Sequence, residues 1–388
     1  MIFAITMTLY LLIQSYVLFR FYQLLPKKRW IRLPALIFAI CLTFSMPTSI
    51  FLARELPLWL IRPMYLIGAG WMVGLIYFFI PVIAMDLFRL INRFAGFVSK
   101  EKLTKLRTNN GKVSLALIVF YTIFFYMGNH TYHDKARREY HFNLADMSLI
   151  EAPLACPLNE GNSQSMTAPI KTVMISDLHL GHTIRRDEME AWAKLINAEN
   201  PDYIFISGDV IDNDVRPLYA DNMPEAINML EAQKGIYAVL GNHEYIAGVE
   251  NSIEFFNKTK VKLLRDEVIL LPENIYLVGR DDKMNRHRAE LSALLEGLDP
   301  AVPKIVLDHQ PFKVAEMAKA GDFLQFSGHT HDGQVWPYKY ATKMINGISS
   351  GLLTLDNSQF LVSSGIGLWG GKFRIGTRSD YMVVTFCQ

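Results

Sequence analysis

The chain has 388 residues, 51% of them hydrophobic and 12% aromatic, with a formal net charge of +2 at pH 7. That length suits two or three domains. The near-neutral charge argues against a nucleic-acid partner, and the apolar content is high for a purely soluble protein.

The excess hydrophobicity lies before residue 130, in four runs without a charged residue: Ile2 to Phe19, Leu33 to Ala53, Pro63 to Met85 and Val113 to Gly128. A bilayer's hydrocarbon core takes about 20 apolar residues of helix. The runs therefore predict a membrane region over residues 1–130 with four transmembrane helices, at about 2–19, 33–53, 63–85 and 113–129. The first run has no basic residues before it and no small-residue cleavage site after it, so it reads as a retained helix.

The loops set an orientation. Between the first two runs lie Arg20, Lys27, Lys28, Arg29 and Arg32, with no acid. Between the third and fourth, seven Lys and Arg face Asp86 and Glu101. The positive-inside rule puts both basic loops in the cytoplasm and everything after Gly128 outside it. The expected location is the inner (plasma) membrane, multi-pass, with the C-terminal part on the periplasmic side. Of the three cysteines, Cys41 falls in a membrane run. Cys156 and Cys387 fall outside, where a disulfide and two free thiols are both open readings.

Residues 131–168 read as a linker with a first strand, interrupted by the Pro-, Ser- and Gly-rich "EAPLACPLNEGNSQSMTAP". From residue 169 to 388 short apolar strands alternate with amphipathic helices, an α/β pattern. Helical spacing in "DEMEAWAKLINAEN" puts Met189, Trp192, Leu195 and Ile196 on one face. In such sheets ligands sit beyond the carboxyl ends of the strands.

Polar groups recur at those ends. Asp177 and His179 follow "KTVMI", Asp209 and Asp212 follow "YIFIS", and Asn242, His243 and Glu244 follow "GIYAV". His309 follows "KIVL", and His329 and His331 follow "LQFS". Asp, Asn and His converging without cysteine favour divalent cations bound through oxygen and nitrogen. Glycines before Asp209, Asn242 and His329 let the backbone run close to a ligand. On extended backbone, positions i and i+2 point the same way, so the side chains of His329 and His331 are expected to share one side.

The series "DLH", "GDVID", "GNHE", "DHQP" and "GHTH" resembles the calcineurin-like metallophosphoesterases over roughly residues 135 to 388. "SDLHLGH", "GHTHDGQV" and "VSSGIGLWGG" resemble its membrane-anchored bacterial branch, with Asp332 in place of the more usual Gly. The resemblance implies a four-layer fold, a two-sheet β-sandwich flanked by helices. It implies two divalent ions (Mn, Fe, Zn or Co), one on Asp177, His179, Asp209 and His331. The other falls on Asp209, Asn242, His309 and His329. A hydroxide bridging the ions would attack phosphorus. His243 is the implied catalytic helper that protonates the leaving oxygen, and Glu244 and Asp212 orient ligands. His182, Arg185 and Arg186 are candidates for meeting a substrate phosphate, or a solvated loop. In "GLWGGKFR", Trp369, Lys372 and Arg374 would rim the site, with core packing of Trp369 the commoner outcome.

The function expected is a membrane-anchored phosphodiesterase or phosphomonoesterase acting on a lipid or envelope-derived phosphoester. The alternatives are a lipid-sugar nucleotide pyrophosphatase or phospholipid-directed hydrolase and, from another class, a scaffold that keeps the fold without catalysis. The sequence is silent on substrate, metal and oligomeric state.

Overall fold

A computed structural model describes residues 2–53, 55–99, 101, 110–150 and 169–387. The chain forms two units, Met1–His130 with Gly370–Phe373, and Thr131–Trp369 with Arg374–Gln388.

The first unit holds the helices Ile2–Leu24, Arg29–Phe51 and Leu58–Ala95 and, up to His130, the helix Asn110–His133. Among the described residues, Arg29–Phe51 and Leu58–Ala95 are long and apolar enough to cross a membrane. Four such helices were expected. The other two expected spans fall on Ile2–Leu24 and Asn110–His133, where the side chains of residues 2–6 and 110–114 lie outside the described residues. Within this unit Gln14 is buried and its Oε1 accepts the Trp71 indole N–H at 3.0 Å.

The second unit is built on two mixed six-stranded sheets. One runs β1 (Ala136–Asn143), β12 (Asp380–Cys387), β2 (Ile170–Ile175), β3 (Tyr203–Ser207), β4 (Gly235–Val239) and β5 (Lys262–Leu263). The other runs β10 (Gly351–Leu355), β11 (Ser358–Val362), β9 (Leu324–Ser327), β8 (Lys304–Leu307), β7 (Ile275–Gly279) and β6 (Glu267–Leu271). β2 to β5 are parallel, as are β7, β8, β9 and β11. The strand in the expected linker segment is an integral edge, β1 pairing with β12 in parallel over eight residues.

Strand alternation explains the layers. Met174, Phe205, Val239, Ile305, Leu307 and Phe326 form one core from both sheets. Their neighbours Val173, Ile175, Ile204 and Ile206 join a second core with Met189, Trp192, Ala193 and Ile196 of the helix Arg186–Asn197. A third core under the other sheet gathers Val278, Val306, Phe323 and Phe360. Both faces of each sheet are thus covered, and the strands read as near-continuous apolar runs. Cys387 is disulfide-bonded; Cys156 lies outside the described residues.

Candidate metal centre

Each polar motif begins within three residues of a strand end. β2 stops at Ile175 before Asp177, β3 at Ser207 before Asp209, and β4 at Val239 before Asn242. In the second sheet β8 stops at Leu307 before His309, and β9 at Ser327 before His329. A Cβ on Gly328 would lie 2.2 Å from Asp177 Oδ2, so only glycine lets this turn pass the first motif. Gly208 has φ +77° and a Cβ there would sit 2.8 Å from His309 Nδ1.

Asp177, His179, Asp209, His329 and His331 all have positive φ, between 45° and 69°. For residues with a Cβ this costs about 1–2 kcal/mol each, and such conformations persist where surrounding bonds fix them. Here they do. His329 N donates to Asp177 Oδ1 at 3.0 Å, His179 N to the Asp209 carbonyl at 3.0 Å, and His243 N to Asp209 Oδ1 at 2.9 Å.

The side chains gather in three overlapping groups whose ligand atoms lie within 4.8 Å of one another. Asp177, His179 and His331 form one; His179, Asp209 and His243 another; Asp209, His309 and His329 the third. His179 Nε2 is 3.1 Å from His331 Nε2, which is 3.5 Å from Asp177 Oδ1. His309 Nε2 is 3.1 Å from Asp209 Oδ2 and 3.2 Å from Asn242 Oδ1. The donor set fits divalent cations: buried carboxylates and imidazoles, with ring nitrogens turned toward one another. His309 Nδ1 donates to the Ser207 carbonyl at 2.7 Å, which aims Nε2 into the cluster.

Electrostatics divide the histidines. Burial, then the neighbouring His309, pushes His329 down to about 4. Burial, then His179 and Arg374, holds His331 well below the usual imidazole range. Both therefore stay neutral and keep a lone pair for a cation. Burial also works against charge on His309, but Asp209 outweighs it and raises that ring well above the ordinary value.

Glu244 is fully buried and braces the turns. Its Oε2 accepts from Asp209 N at 3.0 Å and Gly241 N at 2.6 Å, and Oε1 from Ile211 N at 2.8 Å. Burial, with Asp209 close by, pushes this carboxyl up to about 7. The Asp212 carbonyl accepts His243 Nδ1–H at 2.6 Å, and Asp212 Oδ1 lies 3.5 Å from His179 Nδ1.

Residues 170–333 match the family model described as calcineurin-like phosphoesterase. An uncharacterized metallophosphoesterase of Aquifex aeolicus is 31% identical over 56% of this chain and 84% of its own length. This chain belongs to the calcineurin-like metallophosphoesterase family. An uncharacterized metallophosphoesterase of Campylobacter jejuni is 31% identical over 55% of this chain and 58% of that one. A bovine transmembrane protein with metallophosphoesterase domain is 32% identical over 54% and 51%. The chain thus spans about half the length of these last two relatives.

The geometry of this metallophosphoesterase departs from the sequence reading at the His329–His331 turn and at Arg374. His329 and His331 do not sit on extended backbone: both have positive φ, around a Thr330 with φ −76° and ψ −25°. They reach different groups by a tight left-right-left turn. His182 is 2% exposed, as buried as the ligand candidates Asp177, His179 and Asp209. Arg185 pairs with Asp221 at 3.1 Å, and Arg186 with Glu190 and Glu225. Arg374 is not a rim residue. It is buried and donates to the carbonyls of His331 at 2.5 Å, Ser364 at 2.6 Å and Gly367 at 2.9 Å. Trp369 is half-buried with its ring 6.5 Å from that of His243.

Two further arrangements carried no sequence signal. Gln310 donates to both oxygens of the buried Asp282 at 3.1 and 2.9 Å, beside His309. Asp308 turns to Arg280 at 2.7 Å and Arg288 at 3.0 Å. Both depend on contacts between distant turns.

Proposed function

We propose that this metallophosphoesterase is a membrane-anchored phosphoesterase that uses two divalent cations to hydrolyse a phosphodiester or phosphomonoester outside the cytoplasm. The observation that carries the reading is Asp209, which belongs to two of the three ligand groups. A carboxylate has two oxygens, so one side chain can serve two adjacent cations, which a histidine cannot do.

Asp177, His179, Asp209 and His331 would hold one cation, and Asp209, Asn242, His309 and His329 the other. When bound, the cations supply positive charge for the phosphoryl oxygens and acidify water. The chain's own part is positioning. Ser207 and Asp212 fix ring orientations through their carbonyls, and Glu244 fixes the backbone of the Asp209 and Gly241 turns. Hydrolysis places water's oxygen on phosphorus and a proton on the departing alcohol. With Nδ1–H donating to the Asp212 carbonyl, His243 presents Nε2, which as the imidazolium gives that proton.

The apolar helices and the basic loops support a bilayer anchor with the second unit on the extracytoplasmic side. A membrane or envelope phosphoester is the substrate class this placement favours. The test is hydrolysis of an aryl phosphodiester by the full chain with added manganese. The chain should turn over and Asp209→Asn should not. Equal rates in the two proteins would remove Asp209 from the chemistry, and no turnover by either would remove the activity.

A further inference from the structure

Helix Tyr338–Asn346 is amphipathic in the reverse sense. A surface helix normally turns its apolar stripe to the core, yet none of these nine residues is buried. The less exposed face is polar, with Lys339, Thr342 and Asn346 at positions i, i+3 and i+7. Lys339 Nζ holds it down by pairing with Asp332 Oδ2 at 3.0 Å. The apolar face points outward: Tyr338 is 50% exposed, Tyr340 66%, Met344 81% and Ile345 75%, with Trp336 at 48% just before.

These are five of the nine large hydrophobic side chains exposed among the described residues of the second unit. The other four, Leu149, Ile246, Leu270 and Met284, lie singly on separate segments. Scattered apolar side chains need no partner, but a contiguous patch marks one. Its chemistry names the partner. Trp and Tyr with Met and Ile beneath is the composition of the bilayer interface. Lys343 stands exposed beside this face and the helix carries no acid, which complements anionic headgroups. The same chain supplies helices long and apolar enough to cross a bilayer, and two residues separate His133, the end of Asn110–His133, from β1.

We propose that Trp336 and the helix Tyr338–Asn346 insert their aromatic and apolar face into the interface of an anionic bilayer, a second membrane contact besides the spanning helices. The proposal rests on the membrane reading and not on the phosphoesterase reading. The face follows directly on the His329–His331 turn, so this contact would set that turn at the headgroup level.

The test uses the full chain in vesicles of phosphatidylcholine and phosphatidylglycerol, with and without bromine on the acyl chains. The Trp336 signal is the difference in emission between the chain and Trp336→Phe. Brominated lipid should quench that signal, and quenching should weaken when phosphatidylglycerol is omitted. The double variant Met344→Glu with Ile345→Glu should lose it while still floating with vesicles and hydrolysing the soluble aryl diester as before. A chain that floats but whose Trp336 is unquenched would overturn this proposal alone, whether water, a second copy or another protein covers the face. Quenching undiminished in the double variant would overturn it too. A chain that fails to float would overturn the membrane reading as well.

Discussion

The Arg374 guanidinium donates to the carbonyl of His331 at 2.5 Å. The same side chain reaches the carbonyls of Ser364 and Gly367, and Ser379 Oγ at 3.1 Å. Ile366 N and Gly367 N in turn donate to the carbonyls of Ser176 and Asp177. One buried cation therefore ties the His331 turn to a loop laid over the first motif. Arg374→Met would orphan several buried carbonyls at a cost of about 3 kcal/mol or more. The expected result is a lower melting temperature and lost metal. Arg374→Lys keeps the charge without the planar fork; it should recover part of the stability and little of the metal occupancy. Full occupancy in both variants would contradict a positioning role.

Glu244 accepts three backbone N–H groups with two oxygens. In Glu244→Gln one oxygen becomes an NH₂ facing a donor. That replaces a bond with an opposed pair of donors, worth about 2 kcal/mol. The variant should melt earlier and turn over more slowly at saturating metal. An unchanged melting curve would show that the turns hold without the carboxylate.

Asp332 stands where the resembling branch usually has Gly, at φ 50°. Asp332→Gly would relieve about 1–2 kcal/mol of backbone strain. It would also remove the bonds from Ser349 Oγ at 2.7 Å and Lys339 Nζ at 3.0 Å. The two effects nearly cancel, so stability should change little. Amide exchange in Tyr338–Asn346 should quicken, because the helix loses its tether. Unchanged exchange there would show that Lys339 does not hold it.

Away from the centre, Glu199 pairs with Arg137 at 2.8 Å and Lys171 at 3.0 Å. Burial opposes its ionisation, but the two cations prevail and leave the carboxyl below its usual value. A carboxylate lowered on folding adds stability above its unfolded pKa and loses it as pH falls through the folded one. Glu199→Gln should therefore cost about 1 kcal/mol at neutral pH. The gap between variant and parent should close in acid. A gap that stays constant with pH would assign the effect to packing.

The strand ends and their polar residues were legible because each obeys local rules: a short, mostly apolar run, then a turn residue, then ligands. The two-sheet fold came through the resemblance carried by those turns. The geometry of His329 and His331 was not legible, since spacing suggests extended chain and tertiary bonds such as His329 N to Asp177 select the left-handed turn. Arg374 was misread for the same reason: its acceptors lie on the His331 turn and the Ser364–Gly367 loop, which nothing in "GGKFR" reveals. His182 looked exposed because polar residues surround it in sequence, while the fold closes over it.

The central claim is that these turns hold two cations through a shared Asp209. Metal content of the purified full chain, saturated with manganese and freed of excess, tests it most directly. The account predicts two ions per chain, and loss of both in Asp209→Asn. A single ion in the parent chain, or two retained in the variant, would contradict it.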